Sequence, residues 1–257
     1  MLYQTFEYIK FLFQSTNQHG VHSPFVYNLV TKCFYDKTKH EAYRNIINYR
    51  KALSKDNTRI KVTDLGVGSR VMNQQERLIS NIAKNAGTTV KRAKLLFRLI
   101  NYFKTKQILE LGTSLGIATY AMHLGNQKAH INSIEGCPET SKFAEKQLQA
   151  FKAKNISLTT NDFKNAIENL NLNSYNLIFF DGNHQKEATL SYFDILLKTI
   201  TNDTVFIFDD IYWSKKMTEA WHIIKTHHKV TVTIDTFYWG FVFFRKEQAK
   251  EHFKIRV

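Results

Sequence analysis

Only two cysteines, two prolines and ten glycines occur in the 257 residues, and no apolar run approaches the roughly 20 residues that a membrane-spanning helix needs. Cys33 and Cys137 stand far apart and no C-x-x-C pair is present, which argues against a disulfide framework or a cysteine zinc site and fits a reducing cytoplasm. With so little proline and glycine, no flexible linker tethers a separate second domain. Near the start, Gln4, Glu7 and Lys10 interrupt the apolar residues, unlike the unbroken core of a secretory signal. H-E-x-x-H, G-x-x-x-x-G-K-[ST] and G-x-S-x-G are all missing, which removes zinc-protease, P-loop and serine-hydrolase readings. Acidic residues are in deficit: 36 Lys and Arg face 22 Asp and Glu, for a net charge of +14. Such a field attracts anionic small molecules, nucleic acid or acidic membrane surfaces without choosing among them.

What is present is a large apolar reserve, 43% hydrophobic residues and 14% aromatics, enough to bury a sizeable core. The simplest partition is a main domain over residues 91–257 preceded, over residues 1–90, by a helical extension or cap. Leu2, Phe6, Ile9 and Phe13 recur at helical spacing, so residues 2–14 are expected to form an amphipathic helix that packs that stripe on the main domain, the favoured reading, or on a partner. Ser23 and Pro24 read as the N-cap and first position of another helix, with His22 and Phe25 serving its capping and packing. Residues 39–55 and 73–103 also read as helices. Between them, Val62-Thr-Asp-Leu-Gly-Val-Gly-Ser69 imitates a nucleotide-binding turn, but no second strand ending in an acid follows, so it reads as a structured loop.

From residue 106 onward strand and helix patterns alternate. Strands are expected near residues 107–111, 130–135, 156–159, 175–180, 204–208, 230–234 and 239–244. That pattern is an α/β fold with a doubly wound, mainly parallel seven-stranded sheet. The last two strands are joined only by Asp235 to Tyr238, too short for a parallel crossover, so the sheet ends in an antiparallel strand.

The most telling stretch is Gln107-Ile-Leu-Glu-Leu-Gly-Thr-Ser-Leu-Gly-Ile117, followed by His130-Ile-Asn-Ser-Ile-Glu135. It reads as a buried strand, a glycine turn into a helix, and a second strand closed by an acid. Gly112 and Gly116 permit a tight turn and close backbone approach, and helix-start amides would face a ligand. Glu135 is placed to accept both hydrogen bonds of a ribose diol.

Glu110-Leu-Gly-Thr-Ser-Leu-Gly116 resembles the first motif of class I S-adenosylmethionine-dependent methyltransferases, especially the catechol and caffeoyl-CoA O-methyltransferase branch. The resemblance covers roughly residues 90–245. It implies a Rossmann-like methyltransferase fold and S-adenosylmethionine held by Glu110, Gly112, Thr113, Ser114, Gly116 and Glu135. The adenine would lie near Asp162 and Phe163, which follow the third strand. An Asn-Asp helix cap is the plainer reading of that turn. N-terminal helices commonly cover the substrate in the resembling family, which would instead place His22 and Phe25 along the pocket.

Two more strand ends carry polar clusters, Asp181-Gly-Asn-His184 and Asp209-Asp-Ile-Tyr-Trp213. Carboxylates converging on one mouth repel unless a cation neutralises them, and a hard divalent ion answers that need. In the resembling branch the matching positions, here Asp181, Asp209 and Asp210, bind Mg2+; the third departs from the pattern, having Asp where those enzymes have Asn. Without metal, Asp181 would instead orient the acceptor or the cofactor's amino group. His184 stands where resembling enzymes often place a lysine base, and imidazole suits proton removal near neutrality. Tyr212, Trp213, Tyr238 and Trp239 could face a planar acceptor or sit in the core.

The expected activity is O-methylation of a small hydroxylated molecule in the cytoplasm, assisted by Mg2+ and not attached to a membrane. RNA is the alternative acceptor, with Lys91, Arg92, Lys94 and Arg98 as the first phosphate-binding candidates. A non-catalytic cofactor-binding or interaction module is the third reading. Resembling enzymes are often homodimers.

Overall fold

The computed structural model describes residues 2–63, 76–170 and 175–257. They form two compact units, one from residues 36–166 and one from residues 1–35 with 167–257. The first half of the chain runs α1 (Leu2–Gln14), α2 (Pro24–Leu29), a short π-helical stretch (Val30–Phe34), α3 (Ala42–Ser54), β1 (Arg59–Lys61), β2 (Glu76–Leu78), α4 (Ile79–Asn85) and α5 (Val90–Phe103). There follow β3 (Gln107–Leu111), α6 (Ile117–Gly125), β4 (His130–Glu135), α7 (Pro138–Ala150), β5 (Ile156–Thr160) and α8 (Phe163–Glu168). The remainder is β6 (Leu177–Phe180), α9 (Lys186–Leu196), β7 (Val205–Asp209), α10 (Lys215–Thr226), β8 (Val232–Asp235), β9 (Trp239–Phe243) and β10 (Glu251–Lys254).

In the unit of residues 36–166, β4 pairs in parallel with both β3 and β5. Ile108, Leu109 and Leu111 are buried, as expected of a parallel strand covered on both faces. Pro138 opens α7 at its first turn, where its missing N–H costs nothing. The helix expected over residues 73–103 is corrected. From residue 76 the chain forms β2, antiparallel to β1, then two helices. Ala86 to Thr89 separates these helices, and the Thr89 hydroxyl caps α5 by accepting from Arg92 N. From residue 64 on, the glycine-rich Val62–Ser69 stretch lies outside the described residues.

In the other unit the strand order is β10-β8-β9-β7-β6. β6 and β7 run parallel, β9 is antiparallel to both β7 and β8, and β10 is parallel to β8. Beyond β1 and β2, the described residues thus hold three strands in the first unit and five in the second, one strand more than the sequence pattern suggests. β10 was missed because Glu251-His-Phe-Lys254 carries charge at an edge, where strands need no apolar face.

Ser23 caps α2 as expected, accepting from Val26 N. α1 also forms, but the face expected to be buried is the open one: Leu2, Phe6, Ile9 and Phe13 are 90%, 57%, 48% and 86% exposed. The helix is held instead by Tyr8 and Phe11 against Phe237 and by Tyr3 Oη donating to Thr218 Oγ1 at 2.8 Å. Tyrosines form part of the packed face, so hydropathy alone selects the wrong stripe.

Gly240 in β9 lies under the indole of Trp221 from α10, and a Cβ there would be 2.7 Å from two ring carbons. Gly240→Ala is therefore expected to cost roughly 1–3 kcal/mol by overpacking. The expected readout is a lowering of Tm by several degrees in a thermal scan, and an unchanged Tm would show that the ring yields freely.

Candidate active site

The glycine turn is built inside the unit of residues 36–166. After β3 the chain takes positive φ at Gly112 (109°), Ser114 (48°) and Gly116 (74°). Gly112 N and Thr113 N both donate to Ile134 O, at 2.9 and 3.3 Å, which ties the turn to the end of β4. At Gly116 two requirements coincide, since a side chain would be strained at that φ and its Cβ would lie 2.7 Å from Tyr49 Oη. Tyr49, from α3, donates to Leu115 O at 2.9 Å and stacks on Tyr120 at 4.7 Å. This prop beneath the turn was missed because a lone tyrosine on a helix more than 60 residues upstream gives no spacing signal.

Glu135 ends β4 as expected. Its Oε2 accepts from Ser114 N at 2.8 Å and its Oε1 from Cys137 N at 3.0 Å. The side chain thus braces the turn against the start of α7. Glu110 differs. It is fully buried, and its Oε2 accepts from Thr119 Oγ1 and Ser133 Oγ at 2.5 and 2.6 Å, while Oε1 has no partner. The Ser133 hydroxyl is in turn 2.5 Å from Thr113 Oγ1. Glu110 thus supports the turn from within, through Ser133 and Thr113.

Burial pushes the Glu110 carboxyl up to about 7, with Glu135 adding to the rise and the two hydroxyl donors opposing it. A carboxyl raised from 4.5 to about 7 keeps its proton in the folded chain over a range where the unfolded chain has lost it. Stability from this group is therefore full below about pH 4.5, falls as pH rises through 7 and is gone above that, a change on the order of 3 kcal/mol. Glu110→Gln is expected to flatten that part of the stability-versus-pH curve in chemical denaturation. An unaltered slope would place the titration elsewhere.

Asp162 caps the helix that follows it. It accepts from Asn165 N at 3.0 Å and from Asn165 Nδ2 at 2.5 Å, capping α8 at Phe163. The backbone Asn165 bond leads in holding its carboxyl below the usual range. Among the basic candidates on α5, Arg98 donates to Tyr43 Oη at 3.2 Å, and Lys94 Nζ lies 4.9 Å from the Tyr43 ring centroid.

The second cluster lies in the unit of residues 1–35 and 167–257. The parallel register Phe180↔Phe208 brings Asp181, just past β6, beside Asp209, the last residue of β7. Asn183 and His184 both have positive φ, 68° and 42°, which turns the chain back toward these acids. Asn183 Nδ2 fixes the turn by donating to Tyr192 Oη at 2.9 Å. As a result, one ligand atom from each of Asp181, His184 and Asp209 lies within 4.8 Å of the others. Asp209 is 7% exposed. Burial lowers the His184 imidazole below its ordinary value, against the pull of Asp209. Asp210 is not in the group; its φ of 53° breaks the strand geometry after β7.

Of the aromatic candidates, Trp213 has its ring centroid 6.4 Å from that of His184, and Trp239 is buried against Phe179. Tyr212 is a core residue, donating to Asp235 Oδ2 at 2.5 Å. Tyr238 is half exposed. His22 is exposed, whereas Phe25 packs on Phe243 with the Arg245 guanidinium 4.8 Å from its ring. No helix among the described residues is long and apolar enough to cross a membrane.

Residues 109–211 match the model of a methyltransferase domain family. No curated protein matches the chain. Among solved structures, an S-adenosylhomocysteine-bound Podospora anserina methyltransferase superposes with a TM-score of 0.61 at 12% identity, covering 88% of this chain and 97% of that one. The Bacillus cereus O-methyltransferase in complex with S-adenosylhomocysteine gives 0.56 at 15% identity, with 82% and 93% covered. TomG, an O-methyltransferase from Streptomyces achromogenes in complex with S-adenosylmethionine, gives 0.55 at 13%, with 80% and 89% covered. These likenesses show the fold, which is that of the S-adenosylmethionine-dependent methyltransferases expected from the glycine turn.

Proposed function

We propose that this chain, a methyltransferase by its domain at residues 109–211, transfers the methyl group of S-adenosylmethionine to the hydroxyl of a small acceptor with the help of a divalent cation. The observation that carries the reading is the carboxylate of Glu135 at the end of β4, fastened by Ser114 N to the glycine turn, where an acid meets the ribose of a bound nucleoside. In this reading Gly112 to Gly116 admit the cofactor's backbone-facing edge, and the turn after β5, at Asp162 and Phe163, adjoins the adenine. The sulfonium carries the electrophilic methyl. The protein's share is to orient the acceptor oxygen and remove its proton.

Orienting that oxygen falls to the group of Asp181, His184 and Asp209. Two carboxylates and an imidazole, one of the acids buried, form a donor set that suits a divalent cation. Such an ion, when bound, supplies Lewis acidity that lowers the pKa of a hydroxyl. Residues 1–90 serve as the substrate cap, and the two buried, unlinked cysteines fit a reducing cytoplasm.

The uneven charge favours a second reading, RNA as acceptor. Residues 36–166 hold 23 Lys and Arg against 10 Asp and Glu, while the rest of the chain is nearly balanced. One assay separates the two: transfer of labelled methyl from S-adenosylmethionine to a panel of catechols and hydroxylated acids, with and without EDTA, beside total RNA. Chelator-sensitive labelling of a small molecule supports the proposal. Labelling of RNA alone, falling steeply between about 50 and 200 mM salt, would replace it with the second reading.

A further inference from the structure

We propose that His184 is itself a ligand of the assisting cation, together with Asp181 and Asp209, and that the ion is accordingly a borderline first-row transition metal rather than Mg2+. The purpose of the ion rests on the methyltransferase reading; the ligand set rests on geometry within one unit. Ligands about 2.1 Å from a common ion lie about 3.0–3.4 Å apart at octahedral or tetrahedral angles, so the three atoms, now within 4.8 Å of one another, come together on the ion by side-chain rotations of roughly 1–2 Å.

The local backbone is arranged for that ligand. Consecutive left-handed residues at Asn183 and His184, the bond from His184 N to Gly182 O at 2.9 Å and the Asn183 anchor on Tyr192 hold the imidazole beside the acids. Asp210, which would stand third in an all-oxygen set, does not join them. Mg2+ prefers an octahedron of oxygens and keeps much of its water, whereas an imidazole nitrogen suits the later first-row ions, with affinity rising from Mn2+ to Co2+ along the Irving–Williams series. Three protein donors also leave positions open for an acceptor oxygen. An imidazole lone pair given to the ion is not available as a base, so His184 holds the ion and does not take the acceptor's proton.

The test uses the full chain, freed of metal by chelation and titrated calorimetrically with CoCl2, MnCl2 or MgCl2 alone. Co2+ is expected to bind at least about 100-fold more tightly than Mg2+, and His184→Ala to lose 10-fold or more in Co2+ affinity with little change for Mg2+. Pulsed paramagnetic resonance of the Mn2+ complex is expected to show imidazole nitrogen coupling in the native chain and none in the variant. Equal Co2+ and Mg2+ affinities, or native Mn2+ without nitrogen coupling, would overturn the proposal even if the variant failed to fold. A parallel titration with S-adenosylhomocysteine keeps the two questions apart. Nucleoside binding without a transition-metal preference defeats only the ligand assignment, whereas metal preference without nucleoside binding upholds that assignment and defeats the methyltransferase reading.

Discussion

Replacing Glu135 with alanine is expected to weaken S-adenosylhomocysteine binding by roughly 100-fold or more, because hydrogen bonds to a charged acceptor are each worth about 1.5–3 kcal/mol and a diol makes two. The loss has a second component in this chain. The same carboxylate holds Ser114 N at 2.8 Å and Cys137 N at 3.0 Å, so the variant also frees the glycine turn that receives the cofactor. Glu135→Gln keeps one acceptor oxygen and loses the charge, so its affinity should fall between the two. Calorimetry reads the binding and a thermal scan checks the fold. An alanine variant that folds and binds as tightly as the native chain would remove the ribose from this position.

Asp209→Ala is expected to lower kcat by roughly 100-fold to 10,000-fold, the range associated with losing a group that moves or positions a proton in the transition state. Nucleoside affinity should stay within a few-fold of native. Asp209 ends β7 next to Asp181 and is nearly buried, so its charge is held where solvent cannot readily substitute for it. Asp209→Asn preserves the shape and isolates the charge. Full turnover in both variants would exclude the cluster from the reaction, and loss of nucleoside binding together with turnover would point to a damaged fold.

The parts legible in the sequence are those where one physical cause dominates. β6 and β7 are buried on both faces and therefore appear as apolar runs closed by aspartate, while β3 is apolar at Ile108, Leu109 and Leu111 and runs into Gly112. The glycine turn and Glu135 were legible because a tight turn admits few residue types. Features that depend on distant partners were not. Tyr49 under Gly116, the hydroxyls of Thr119 and Ser133 on Glu110, and the open apolar stripe of α1 have no local signature. The polar cluster was half legible. Asp181 and Asp209 follow from strand ends, but the approach of His184 to them depends on backbone signs at residues 183 and 184, which side-chain identity does not dictate. β10 escaped because an edge strand can be charged.

The most direct test of the account is a calorimetric titration of the native chain with S-adenosylhomocysteine. One nucleoside per chain should bind with a Kd of micromolar order, about −8 kcal/mol, and Glu135→Ala should abolish most of that heat. Absence of any heat from the native, folded chain up to about 1 mM nucleoside would contradict the claim that the turn from Gly112 to Gly116 and the carboxylate of Glu135 form a cofactor site.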